Sequence, residues 1–233
     1  MIKMVPNGIS GKPVEFNAGD VSQEDLALEM ALLQLGDFEP LDWKINVEDF
    51  KREIAEFDND WQDYLPRPGR SNPRKGLTLT NMPGQDHRGV PSLAEAVARE
   101  RRRVSETEFC HPTEVYKKCY SLNWMLNEFP KLGRTFLVKS NQGGHFVPHR
   151  DHPGMPREVF RLAVFLENVA PLDYDWLMDD KKLQIEPGRV YYINTRKTHR
   201  TISWVDNSIH LIMNIPFCNE NVAKVISHLL HRH

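Results

Sequence analysis

Along the first half of the chain, apolar residues recur at helical spacing. Ser22 with Asp25 resembles a capping box, and Leu26, Met30 and Leu33 share one helical face before Gly36 closes the run. Phe50, Ile54, Phe57 and Trp61 repeat at offsets of 4, 7 and 11, which predicts an amphipathic helix stopped by Pro66. Ser92 and Glu95 predict a second capping box and a helix reaching about Arg102. Val115, Cys119, Leu122, Leu126 and Phe129 form a further stripe, ended by Pro130 and Gly133. Each stripe is expected to face a core. Between them, the stretch from Pro66 to Gly84 is rich in Pro and Gly around an extended Leu77-Thr78-Leu79-Thr80 segment.

From Arg134 the period changes to two. Short strands are predicted at Arg134–Ser140, His145–Asp151, Glu158–Glu167, Lys182–Glu186, Arg189–Thr195, Thr198–Val205 and Ser208–Ile215, with Gly, Pro, Asn and Asp clusters between them. Strands following helices in this way predict an α+β protein, with a β-sandwich or jelly roll braced by N-terminal helices. Asn221–His233 reads as a closing helix with Val222, Val225, Ile226, Leu229 and Leu230 as its stripe. The expected organisation is one domain over 1–233: a helical and mixed part to 133, a core over 134–216 and a C-terminal helix over 217–233.

Composition narrows the class. With 233 residues, 40% of them hydrophobic and 27% charged, the chain can bury a core without disulfides or a structural metal. No apolar run is long enough to span a membrane, and Met1–Pro6 does not open a secretory signal. Three unpatterned cysteines (Cys110, Cys119, Cys218) fit reduced thiols, so a cytoplasmic location is expected. The net charge of −2 is unevenly spread: residues 1–65 hold 5 Lys/Arg against 15 Asp/Glu, and residues 66–104 hold 9 against 3. The basic stretch (Arg67, Arg70, Arg74, Lys75 and Arg99–Arg103) reads as a solvated face balancing the acidic start, or as a surface admitting an anionic substrate. Few aromatics interleave with it, so no nucleic-acid partner is expected.

The chemistry-bearing segment is Gly143-Gly144-His145-Phe146-Val147-Pro148-His149-Arg150-Asp151-His152. His149 and Asp151 are two apart, and on a strand both would project from one face. His199 opens a later strand and offers a third ligand. Two imidazoles and one carboxylate on one face of an octahedron leave three positions open, as ferrous iron needs to bind a bidentate cosubstrate and O2. A carboxylate with imidazoles and no thiolate suits Fe(II) better than structural zinc. His145 and His152 read as ordinary polar or outlying residues.

The run from Arg134 to Asp151 resembles the opening of the aspartyl/asparaginyl β-hydroxylase-like and proline-hydroxylase-like oxygenases of the Fe(II)/2-oxoglutarate superfamily. The similarity continues through Phe160–Val164, Pro187–Asn194, Thr198-His199-Arg200 and Ser208–Asn214. It implies a double-stranded β-helix (jelly roll, cupin-like) with His149, Asp151 and His199 holding Fe(II). It also implies 2-oxoglutarate and O2 as cosubstrates, and hydroxylation of an amino acid or of a peptide side chain. The family usually places an arginine after the distal histidine to grip the far carboxylate of 2-oxoglutarate; here that position is Ser208. Strand alternation puts Ser208, His210, Ile212 and Asn214 on one face, so Ser208 and His210 are expected to touch the cosubstrate. Arg161, sharing a face with Ala163 and Phe165, is the expected cation; a structural ion pair is its alternative role. Two other functions stay open: a zinc hydrolase using His145, His149, Asp151 and His152, and a jelly-roll module that binds metal or ligand without catalysis.

Overall fold

The structure, a computed structural model, describes residues 23–64, 73–88, 92–151 and 158–230. The expected cap at Ser22, the stop at Pro66, Arg67 and Arg70, His152, and the terminal His231 and His233 lie outside the described residues. The chain runs α1 (Gln23–Leu33), β1 (Phe38–Lys44), α2 (Val47–Ile54), β2 (Gln62–Asp63), β3 (Arg74–Thr78), β4 (Thr80–Asn81), α3 (Leu93–Glu100), β5 (His111–Pro112), α4 (Glu114–Lys118) and α5 (Tyr120–Leu126). It continues through β6 (Thr135–Ser140), β7 (His145–His149), β8 (Val159–Glu167), β9 (Tyr174–Met178), β10 (Lys181–Lys182), β11 (Arg189–Ile193), β12 (His199–Ser203), β13 (Ser208–Pro216) and α6 (Asn219–Ser227).

Two antiparallel sheets face each other. The larger has the order β1-β11-β8-β13-β6-β3-β2 and the smaller β10-β9-β12-β7. From β6 onward successive strands mostly switch sheets, which is the winding of a double-stranded β-helix. The pleat of β13 shows the logic. Ile209, Leu211, Met213 and Ile215 face the helices in one apolar cluster, while Ile212 joins Phe136, Val138, Ala163 and Phe165 between the sheets. The helices thus brace the outside of the large sheet, and the cleft between the sheets is left for chemistry.

The helical half departs from the pattern in instructive ways. Phe50, Ile54, Phe57 and Trp61 are all buried, but the helix ends at Ile54, with a 3-10 turn over Ala55–Phe57 and Trp61 beyond it. The stripe from Val115 to Phe129 is buried but broken into α4 and α5 at Cys119, whose ψ of 77° leaves the helical region. The capping box of Ser92 and Glu95 is present, and its helix stops at Glu100. In α1 the expected face is the wrong one: Leu26 and Met30 are exposed, and Leu32 and Glu29 are buried. Glu29 accepts from Arg196 at 2.6 Å, and this ion pair with the Leu32 contact sets the rotation of the helix. Strands β1 and β9 were not expected. β1 carries Pro40 and a register shift where it edges β11, and β9 is bracketed by aspartates.

Gly188 has a geometric duty. Its φ is +80°, and a Cβ there would stand 2.4 Å from the Ile45 carbonyl. Its N–H donates to Phe165 O and its carbonyl accepts from Ile45 N–H, tying β1 to the turn before β11.

Candidate metal centre

The Gly143-Gly144 turn starts the site. Gly143 takes φ +79° and donates its N–H to Ser203 O, and Ser203 donates back to Gly144 O. These bonds lock β7 beside β12, and His149 falls directly opposite His199 in the ladder. Their imidazole centres are 4.3 Å apart. Asp151 lies just past the end of β7, where its N–H donates to Thr195 O at 3.0 Å. The alternation argument therefore reaches a correct neighbour by a looser route, since the strand ends at His149 and a backbone anchor places Asp151.

Asp151 Oδ1 is 3.4 Å from His149 Nε2, and Asp151 Oδ2 is 3.7 Å from His199 Nε2. One ligand atom from each residue fits within 4.8 Å of the others. The orientation of both rings has a simple cause. His149 Nδ1 is 2.7 Å from Val147 O and His199 Nδ1 is 3.0 Å from Lys197 O. A carbonyl only accepts, so each neutral ring carries its proton on Nδ1 and turns the Nε2 lone pair toward Asp151. The donor set suits a metal with bonds of about 2.1 Å and an appetite for mixed N and O ligands.

Burial works against ionised Asp151, but Arg161 and both histidines outweigh it and hold the carboxyl well below the usual carboxylate range. The hydrogen bond that a protonated Nε2 would give Asp151 raises the His149 pKa against the opposing effect of burial. Burial lowers His199, with Asp151 pulling the other way. An ionised aspartate and a neutral distal histidine are the forms that ligate a metal.

The triad lines one side of a cavity of about 630 Å³ between the sheets. Phe136, Val138, Phe146, Trp176 and Ile212 make its apolar wall. Trp176 stacks on His199 at 6.0 Å, and its buried indole N–H has no hydrogen-bond partner among the described residues. An unsatisfied buried donor on a ring that lines a cavity is a ready partner for a ligand oxygen.

A polar chain runs from the wall to the triad. Arg134 donates twice to Glu106, at 2.6 and 3.0 Å, and both side chains are buried. Asn214 Nδ2 is 3.4 Å from Glu106, while Asn214 Oδ1 accepts from Arg161 at 3.1 and 3.0 Å. Arg161 in turn donates to Asp151.

The remaining expected residues fall as follows. Arg161 lines the cavity but is bonded to Asp151 and Asn214. His210 lines the cavity. Ser208 shares the inner face but does not line the cavity; its hydroxyl donates to Asn168 O and meets Ser203 Oγ, both at 2.7 Å. His145 is exposed, with its Nδ1 against Gly143 O, and is not part of the ligand group. Sequence reading missed Arg134 with Glu106, which lie 28 positions apart and carry no shared motif. Trp176 was missed with its strand, although Tyr174-Asp175-Trp176-Leu177-Met178 alternates buried and half-buried side chains.

His210 carries a pH prediction. Burial, and then the nearby Arg161 charge, push its pKa down from 6.5 to about 3. The unfolded chain takes up a proton below about pH 6.5 and the folded one does not, so stability is present above that pH and is lost as pH falls toward 3. Chemical denaturation between pH 7 and 4 should show a slope of about 1.4 kcal/mol per pH unit from this residue. His210→Gln should remove that part of the slope.

All three cysteines are free, and burial pushes the Cys119 thiol up to about 12, so it is inert at neutral pH. No helix among the described residues is long and apolar enough to cross a membrane.

No protein-family model and no curated protein matches the chain. Among solved structures it is similar in shape to a prolyl hydroxylase from Trichoplax adhaerens in complex with a hypoxia-inducible-factor peptide (12% identity, TM-score 0.46, covering 83% of this chain and 91% of that one). A Pseudomonas putida prolyl-4-hydroxylase matches at 11% identity and TM-score 0.43, covering 84% and 100%. A viral collagen prolyl hydroxylase from Paramecium bursaria Chlorella virus 1, solved with 2-oxoglutarate, matches at 12% and 0.42, covering 79% and 97%. Likeness this remote is one of shape; the chemistry has to be argued from the residues of this chain.

Proposed function

We propose that this protein is a dioxygenase of the aspartyl/asparaginyl hydroxylase-like kind, dependent on Fe(II) and 2-oxoglutarate, which hydroxylates a C–H bond of an amino acid or peptide side chain. The observation that carries the reading is the cluster of His149, Asp151 and His199 on one wall of a largely apolar cavity, with both Nε2 lone pairs set by backbone carbonyls. These three residues would hold the metal. Bound there, ferrous iron supplies the oxidative chemistry that turns 2-oxoglutarate and O2 into succinate and CO2 while a substrate C–H becomes C–OH.

The chain's own residues do the rest. Arg161 fixes the Asp151 carboxylate, and Asn214 fixes Arg161. Phe136, Phe146, Trp176 and Ile212 keep water from the space beside the triad. His210 stays neutral and adds no charge near a bound keto acid. Iron-loaded protein given 2-oxoglutarate, O2 and a panel of free amino acids and short peptides is expected to release succinate in step with substrate hydroxylation. Absence of both succinate and keto-acid binding to the metal-loaded protein would sink the reading.

A further inference from the structure

We propose that Glu95 selects the substrate, and that the side chain taken by this site carries a positive charge at the end of an aliphatic stem. The assignment rests on the oxygenase reading above and names the class of its substrate. Among the described residues, the charges around the cavity sort into closed sets and one remainder. Arg161 with Asp151, and Arg134 with Glu106, are internal pairs. Arg74 lies over Phe146 and is engaged as well. Glu95 lines the same cavity from its exposed rim, and among the described residues no cation pairs with it. The neighbouring basic run does not make this rim cationic. Arg99, Arg102 and Arg103 are held by Glu100, Glu108 and Glu158.

The packing of α3 puts this carboxylate at the metal end of the cavity. Leu93, Ala96 and Val97 pack with Met82, Val104 and Phe109. Val104 leads into the 3-10 turn Glu106–Glu108, and Glu106 meets Asn214, which holds Arg161 against Asp151. Ser208, Ser140 and Arg74 form one row across the adjacent strands β13, β6 and β3. That row is six residues from Asn214 along β13, roughly 20 Å of strand, and marks the opposite end of the inner face.

The carboxylate is also held in advance. Glu95 Oε2 accepts the Ser92 N–H at 2.7 Å, and Ser92 Oγ accepts the Glu95 N–H at 3.2 Å, the reciprocal cap of α3. A carboxylate offers about four lone-pair positions and this cap takes one, so the group is oriented without being saturated. Beside it, half-buried Leu93 and exposed Val147 line the cavity with apolar surface. An aliphatic stem lies along such a surface and leaves its charged head at the polar rim. The stem then carries the C–H bond offered to the triad.

The test is calorimetric titration of Co(II)-loaded protein with three end-blocked tripeptides, Gly-Lys-Gly, Gly-norleucine-Gly and Gly-Glu-Gly, so that no turnover is needed. The lysine peptide should bind about tenfold more tightly than the norleucine peptide, the contribution of a charge-assisted hydrogen bond, and the glutamate peptide most weakly. Added salt should narrow the gap. Glu95→Gln keeps the cap, because an amide oxygen also accepts the Ser92 N–H, and should bring the lysine peptide to the norleucine level. Glu95→Lys should invert the order of the lysine and glutamate peptides. Wild type that does not prefer lysine over norleucine, or a lysine preference that survives in Glu95→Gln, would overturn the assignment. A preference lost in Glu95→Gln, in a protein that neither binds 2-oxoglutarate nor releases succinate, would support the assignment and confine the failure to the oxygenase reading.

Discussion

His199→Ala is expected to abolish detectable iron-dependent release of succinate and to leave no tight Fe(II) or Co(II) binding. The imidazole it removes is buried and stacked on Trp176, and its Nε2 is aimed at Asp151 by the bond from Nδ1 to Lys197 O. Among the described residues no other histidine is placed to replace it, because His145 is directed elsewhere and His210 lies on the far side of Trp176. Metal titration followed by absorbance separates this loss from that of an outlying partner. Arg161→Gln, which keeps all three ligands, should cost about 10- to 100-fold in metal affinity. Acidification should weaken metal binding first through His149, because its raised pKa lets protons compete with the ion. Retained turnover in His199→Ala would exclude the proposed centre.

The largest stability effect is expected at Glu106. Glu106→Gln leaves Arg134 buried, over Phe136, without its counter-charge. Stranding one partner of a buried ion pair costs about 3–5 kcal/mol. For a chain of this size that lowers the melting temperature by roughly 6–20 °C. Replacing both partners, as Glu106→Leu with Arg134→Met, should recover much of the loss, because two desolvated charges disappear together. Thermal melts of the three variants check this. A double variant no more stable than Glu106→Gln would show that the pair is held by more than its own attraction. Asn214 joins Glu106 to Arg161, so Glu106→Gln should also weaken metal binding in protein that remains folded.

Much of the strand region was legible because a pleat writes itself into sequence as alternation. The two faces of β13 and the shared face of Arg161, Ala163 and Phe165 follow directly from period two. Helix caps were equally readable where the signal is local, as at Ser92 and Glu95. The rotation of α1 was not, because Leu26, Met30 and Leu33 make as good a stripe as any, and the pairing of Glu29 with the distant Arg196 is not written in the local pattern. β9 escaped notice because aspartates on both sides of its aromatic residues read as turn signals.

The amino-acid sequence by itself determined local terms of this protein: most of the pleated segments from Arg134 onward, the inward faces of β8 and β13, and that His149 and Asp151 stand close to one another. Those properties depend on neighbours a few positions away, whose spacing is set by backbone geometry. Only the tertiary structure decided that His199 pairs opposite His149, that Arg161 serves Asp151, and that Arg74 shares a row with Ser208. Sheet pairing across about 50 to 70 residues depends on how whole strands pack, and no single position records it.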